Sequence, residues 1–177
     1  FLKKKPKGEG AQLSWHSLKN DLLKLLIDDG RLQEATGQLM VEIINDADQH
    51  PVMREYALQF TRDYFERHWL LKSPQGMTEK QDLSAFDRQI QQAMLDSMWQ
   101  TIDSAHSEMA ATSLVRLQEL SKNFAVIDQQ RLEAAVKDVL EDDSSADVVL
   151  MAAFSIAGER GSSDFKELTT EVVFDDN

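Results

Sequence analysis

The sequence predicts an all-α fold built from paired, packed helices. Three observations lead there. Apolar residues recur at helical spacing: Leu32, Ala35, Leu39, Met40, Ile43 and Ile44 on one segment, Ala110, Ser113, Leu114, Leu117 and Leu120 on another, and Leu132, Ala135, Val136, Val139 and Leu140 on a third. Breakers are sparse, with three prolines and seven glycines in 177 residues, and no Asn-Gly or Asp-Gly turn joins alternating segments. A stretch near residue 45 also returns 96 residues later.

Eight helices are expected. The first covers about Ser14 to Asp28 and stops at Gly30, since glycine tolerates the left-handed conformation that ends a helix. The second runs from about Leu32 to Asp46. Pro51 opens the third, where its missing N–H costs nothing, and this helix is expected to continue to about Leu71. Lys72 to Asp82, with Pro74 and Gly76, reads as a loop. Ser84 with Asp87 three residues on has the spacing of a capping box, so a fourth helix starts there and ends near Ser104. The fifth spans about Ser107 to Lys122. Asp128 is the expected cap of the sixth, which runs to Asp142. The seventh follows Ser144 and Ser145, carries Asp147 in its first turn and stops at Gly161. It is apolar on all sides, which places it among neighbours in the middle of a stack. A final helix is expected after Ser163.

The repeat is the most specific feature. Ile43-Ile44-Asn45-Asp46, then Pro51-Val52 and Tyr56-Ala57-Leu58, matches Val139-Leu140-Glu141-Asp142, then Asp147-Val148 and Ala152-Ala153-Phe154, without a gap. A looser copy lies between them, in Met98-Trp99, Ile102-Asp103, Met109-Ala110-Ala111 and Leu114. Ala57 to Ala111 is 54 residues and Ala111 to Ala153 is 42, close to two-helix units of ~40–47 residues.

Pro51-Val52-Met53-Arg54-Glu55-Tyr56-Ala57 after Ile43-Ile44-Asn45-Asp46 resembles the turn and second helix of a HEAT repeat, and the resemblance covers about residues 31–160. It implies an α–α superhelix, a right-handed solenoid of about three helix pairs with capping helices at its ends. It also implies that Arg54 pairs with Asp46 or Asp48 in a ladder between units. Leu150 stands at the matching position of the later copy, so a charged ladder cannot run through the whole stack. Each pair in such a stack has an apolar face that only a neighbouring pair can cover. Residues 12–177 are then one helical-repeat domain, and the remaining reading is a non-repeat helical bundle.

Charge narrows the partners. The chain carries 31 acidic and 19 basic residues, a net charge of −12. Residues 128–177 hold 13 acidic against 4 basic, a local net of −9. Nucleic-acid affinity rests on Lys and Arg displacing counterions, so a nucleic-acid partner is not expected. Solubility is the simple reason for such a surface, and a basic protein partner is the other. Lys3, Lys4, Lys5 and Lys7 make a basic tail over residues 1–11, broken by Pro6 and two glycines. A flexible solvated tail is the simpler reading. A juxtamembrane segment below a membrane tether is the second, because Phe1-Leu2 before a lysine cluster has the look of a spanning helix's end. The longest apolar run, Val148 to Ile156, is far short of the ~20 residues such a helix needs.

Residue spacing excludes several chemical signatures. Without cysteine there is no disulfide, thiolate nucleophile or cysteine-bound metal. No Glu precedes a His by three residues, and His-Glu-x-x-His is absent. Asp46-Ala47-Asp48 begins like a calcium loop, but Pro51 replaces the required glycine and Ala57 the required Glu. Gly158-Glu159-Arg160-Gly161-Ser162-Ser163 reads as a helix stop and a cap rather than an anion seat. His16, His50, His68 and His106 are each isolated in sequence. Tyr56, Phe60, Tyr64, Phe65 and Trp69 share one broad helix side and are expected in the core, with Trp15 and Trp99.

The expected function is therefore a non-catalytic HEAT-like module, a scaffold or adaptor for another protein, with no cofactor or metal. The competing expectation is a helical-bundle enzyme or ligand-binding domain with a buried pocket of His and distant carboxylates. Two of the four histidines within ~6 Å of each other would favour it.

Overall fold

The computed structural model describes residues 12–72, 78–80 and 84–161. The basic tail, the centre of the expected loop and the helix expected after Ser163 lie outside them. Eight helices are present among the described residues: α1 (Gln12–Asp29), α2 (Gln33–Asn45), α3 (Pro51–Gln59), α4 (Thr61–Trp69), α5 (Ala85–Ile102), α6 (Ser107–Ser121), α7 (Gln129–Glu141) and α8 (Asp147–Arg160). The all-α class holds.

Two expectations about the region after Pro51 change. The single long helix is interrupted at Phe60. The hydroxyl of Thr61 donates to the Leu58 carbonyl at 2.6 Å, so a side chain competes there with the backbone ladder. After α4 the chain forms two three-residue strands, β1 (Leu70–Lys72) and β2 (Thr78–Lys80), paired antiparallel with Leu70 opposite Lys80 and Lys72 opposite Thr78. Strands this short show too little alternation to be read from sequence.

The chain divides into two compact units, Phe1–Gln100 and Thr101–Asn177, with the boundary in the last turn of α5. In the first unit α1 packs on α2, α3 and α4, and α2 packs on α3 and α4. Leu23, Ile27, Met40, Ile43, Ile44, Met53, Leu58 and Phe65 fill the space between them. Trp69 meets Phe65 and Tyr64 edge-on, at centroid distances of 4.5 and 5.0 Å. Tyr64, Phe65 and Trp69 are core as expected, while Tyr56, Phe60 and Trp15 are only half-buried. Phe60 instead offers its ring to the Lys24 ammonium, 5.8 Å from the centroid.

The second unit is built on α6, α7 and α8, each packed on the other two. Leu114, Leu117, Leu132, Val136, Ala153 and Ile156 are its centre. Arg160 ties the end of α8 to the other two helices, donating to Gln118 and Gln129 at 2.8 Å each. Helix α8 is not surrounded, contrary to expectation: Val148, Met151, Ser155 and Gly158 form an exposed strip along it. Alanines at 152, 153 and 157 bring α6 and α7 close on the opposite side, which is why an all-apolar sequence needs only two helical neighbours.

Caps set the ends. Gly30 and Gly161 take φ of 68° and 59°, the left-handed region glycine enters without strain. Ser84 accepts from the Asp87 N–H and donates to the Asp87 carboxylate. Asp128 accepts from the N–H groups of Gln130 and Arg131.

Candidate functional site

The turn after α2 and the turn after α7, which match in sequence, share several backbone hydrogen bonds. Helix α2 ends at Asn45 and α3 starts at Pro51; α7 ends at Glu141 and α8 starts at Asp147. Asp46 accepts the Asp48 N–H on its side chain and the Gln49 N–H on its carbonyl. Asp142 does the same with Ser144 and Ser145. The next residues also match, Met53 and Arg54 returning to the His50 carbonyl as Val149 and Leu150 return to Ala146. An aspartate whose carboxylate binds the N–H two residues on makes a tight, self-contained turn. The turn between α5 and α6 is one residue shorter and lacks this pattern.

Arg54 does not form the expected ion pair. Its Nε donates to the Ile44 carbonyl at 2.8 Å, while Asp46 is engaged within its own turn. The exposed end of α2 supplies a free carbonyl, and a guanidinium there also meets the negative end of the helix dipole.

In the second unit, the repeated turn and the α5–α6 turn border a cleft of about 420 Å³. Asp103, Asp138 and Asp142 line it, with Ser104, Ser107, Ser144 and Ser145; Ile102, Ala110, Val139 and Val149 are among its apolar walls. None of its lining residues is basic. All three aspartates are exposed. Hydrogen bonds from the Ser144 hydroxyl and N–H hold the Asp142 carboxyl below its ordinary pKa, so it stays charged. Sequence reasoning singled out Asp142 and Asp103 through the repeat but missed Asp138. Asp138 lies one helical turn before Asp142 on α7, the only hint the sequence offered.

The histidines separate into distinct settings. His106 is exposed at the start of α6. His68 is half-buried, with its ring centroid 4.6 Å from that of Tyr64. Burial and the Arg67 charge lower its pKa, partly opposed by a hydrogen bond to the Ile27 backbone. Arg67 beside it donates to the Asp28 carbonyl at 2.7 Å, so the end of α4 closes the end of α1.

His16 and His50, isolated in sequence, come together with ring centroids 4.5 Å apart. His16 is buried on α1, and His50 is the exposed N-cap of α3, accepting from the Val52 N–H at 3.3 Å. Lys19, one turn after His16, is fully buried. Among the described residues no group of three or more His, Asp or Glu stands close enough to hold a metal ion, and no helix is long and apolar enough to cross a membrane.

No family model matches this chain, and no curated protein and no solved structure matches it either.

Proposed function

We propose that the chain is a non-catalytic, HEAT-like helical-repeat module that binds a basic protein partner. The observation carrying this reading is the acidic cleft of the second unit, with three exposed aspartates and no basic group in its lining. Such a cleft concentrates negative potential and receives Lys or Arg side chains of a partner. On its side away from α6 and α7, α8 supplies a further surface for apolar contact, Met151 being 71% exposed and Val148 40%. The repeated turns support a stack of helix pairs, for which a right-handed superhelix is the natural continuation. The net charge of −12 disfavours a nucleic-acid partner.

The test is affinity capture at low and high salt, with bound proteins identified by mass spectrometry. A basic protein should be retained by the wild type, released by salt, and lost from Asp103→Asn/Asp138→Asn and from Met151→Glu. Equal capture by all three chains would defeat the proposal.

A second reading, a ligand-binding helical bundle, is favoured by the 4.5 Å contact between His16 and His50. It does not require catalysis.

A further inference from the structure

His16 on α1 meets His50 at the start of α3, and the Lys19 charge acts on His16. The Lys19 Nζ is covered by protein and has no hydrogen-bond partner among the described residues. Neither ring nitrogen of His16 has one. His16 and Lys19 are three residues apart, hence on one face of α1. His50 presents its ring to His16, and its Nδ1 accepts from Val52, which leaves the proton on Nε2. Among the described residues no carboxylate therefore lies within hydrogen-bond distance of the Lys19 Nζ or the His16 ring nitrogens.

An ammonium sealed in protein without a counter-charge is an uncommon arrangement, because desolvation penalises the charged form and nothing returns the loss. We infer that His16, Lys19 and His50 form a binding site for a small inorganic oxyanion of the phosphate type. Phosphate presents several acceptor oxygens and so can engage donors from three residues at once, which a two-oxygen carboxylate does less well. The cover over Lys19 and His16 restricts the ligand to a small free ion. His50 is the exposed member, and its 3.3 Å cap bond is long, so its ring is the one of the three groups placed to meet an incoming ion first. The lowered pKa of His16, caused first by burial and then by the charges of His50 and Lys19, is the expected state of the site before an anion arrives.

This inference goes beyond the partner reading and uses different residues. Its test is thermal denaturation of the full chain in sodium phosphate against sodium chloride of equal ionic strength, with the His16 and His50 Hε1 resonances followed by NMR. Phosphate should raise the melting temperature beyond chloride and move both resonances saturably. Lys19→Met should abolish both effects. His50→Asn keeps a good N-cap on α3 and should bind phosphate about tenfold more weakly, as expected for one lost charge-assisted hydrogen bond. Equal melting in the two salts, or undiminished binding by the variants, overturns the inference. Should Lys19→Met fail to fold, His50→Asn alone decides.

Discussion

The phenol of Tyr64 lies directly against the backbone of Gly37, and its hydroxyl donates to the Gln33 carbonyl at 2.8 Å. Gly37 sits in the middle of α2, where glycine costs roughly 0.5–1 kcal/mol relative to alanine. The cost is offset by contact. A Cβ at this position would meet the Tyr64 ring and the Ile90 Cγ2 inside any normal van der Waals separation. Burial, then the carboxylates of Asp87 and Glu34, push the Tyr64 pKa up, so the phenol stays neutral and keeps donating.

Gly37→Ala should therefore destabilise the protein, although alanine is the better helix former. Overpacking costs ~1–3 kcal/mol, and Tyr64 is held at its hydroxyl and cannot swing away cheaply. Urea unfolding should show a lower midpoint with an unchanged slope. Tyr64→Phe alone should cost about 1 kcal/mol, and truncation of Tyr64 to Leu should lessen the cost of the second change at Gly37, leaving the contact with Ile90. A midpoint raised by Gly37→Ala would show that α2 and α4 are less tightly joined than described.

Acidification should weaken the first unit. The folded pKa of His16 is below its unfolded value, so the unfolded chain binds more protons. The stability contributed by neutral His16 is complete above ~6.5 and is lost as pH falls below that value towards the folded pKa. His68 shifts in the same direction and adds to the trend. Unfolding midpoints between pH 8 and pH 5 should fall, and His16→Leu should flatten the decline. A wild-type midpoint independent of pH over that window would contradict the burial of His16.

The two matching turns should respond alike to loss of their aspartates. Asp46→Ala and Asp142→Ala each remove the acceptor of one backbone N–H, and Asp142→Ala also that of the Ser144 and Ser145 hydroxyls; both should lower stability, whereas Asn at either place should retain most of it. Asp142 has its folded pKa depressed, so its contribution is present above the unfolded carboxyl value and disappears as pH drops through the folded one. Asp128→Ala, at the start of α7, offers a scale: such caps are worth ~1 kcal/mol. Urea titration of the three variants measures this, and an effect at only one of the two turns would break their equivalence.

Most helix ends were legible because their signals are local. Pro51, Asp128, Gly30 and Gly161 each act on a few neighbouring backbone groups, and each helix starts or stops where those residues predict. The interruption at Phe60 was not legible, since a threonine hydroxyl can bond a carbonyl behind it or point elsewhere. Gly37 was overlooked for a related reason: its meaning lies in Tyr64, 27 residues away, and not in α2. The His16–Lys19–His50 cluster and the Asp103–Asp138 cleft lining depend on how segments cross, and no spacing rule reaches across a crossing. The match between residues 43–58 and 139–154 was visible because its bonds close within each copy.

Thr61 makes the interruption after α3 with an oxygen, not a ring. Proline would have removed an N–H for good; a hydroxyl merely borrows a carbonyl and can hand it back. The joint between α3 and α4 is consequently a removable one. A single exchange of oxygen for methyl, Thr61→Val, would return the Leu58 carbonyl to the backbone and let α3 and α4 join into the one helix their sequence first suggests.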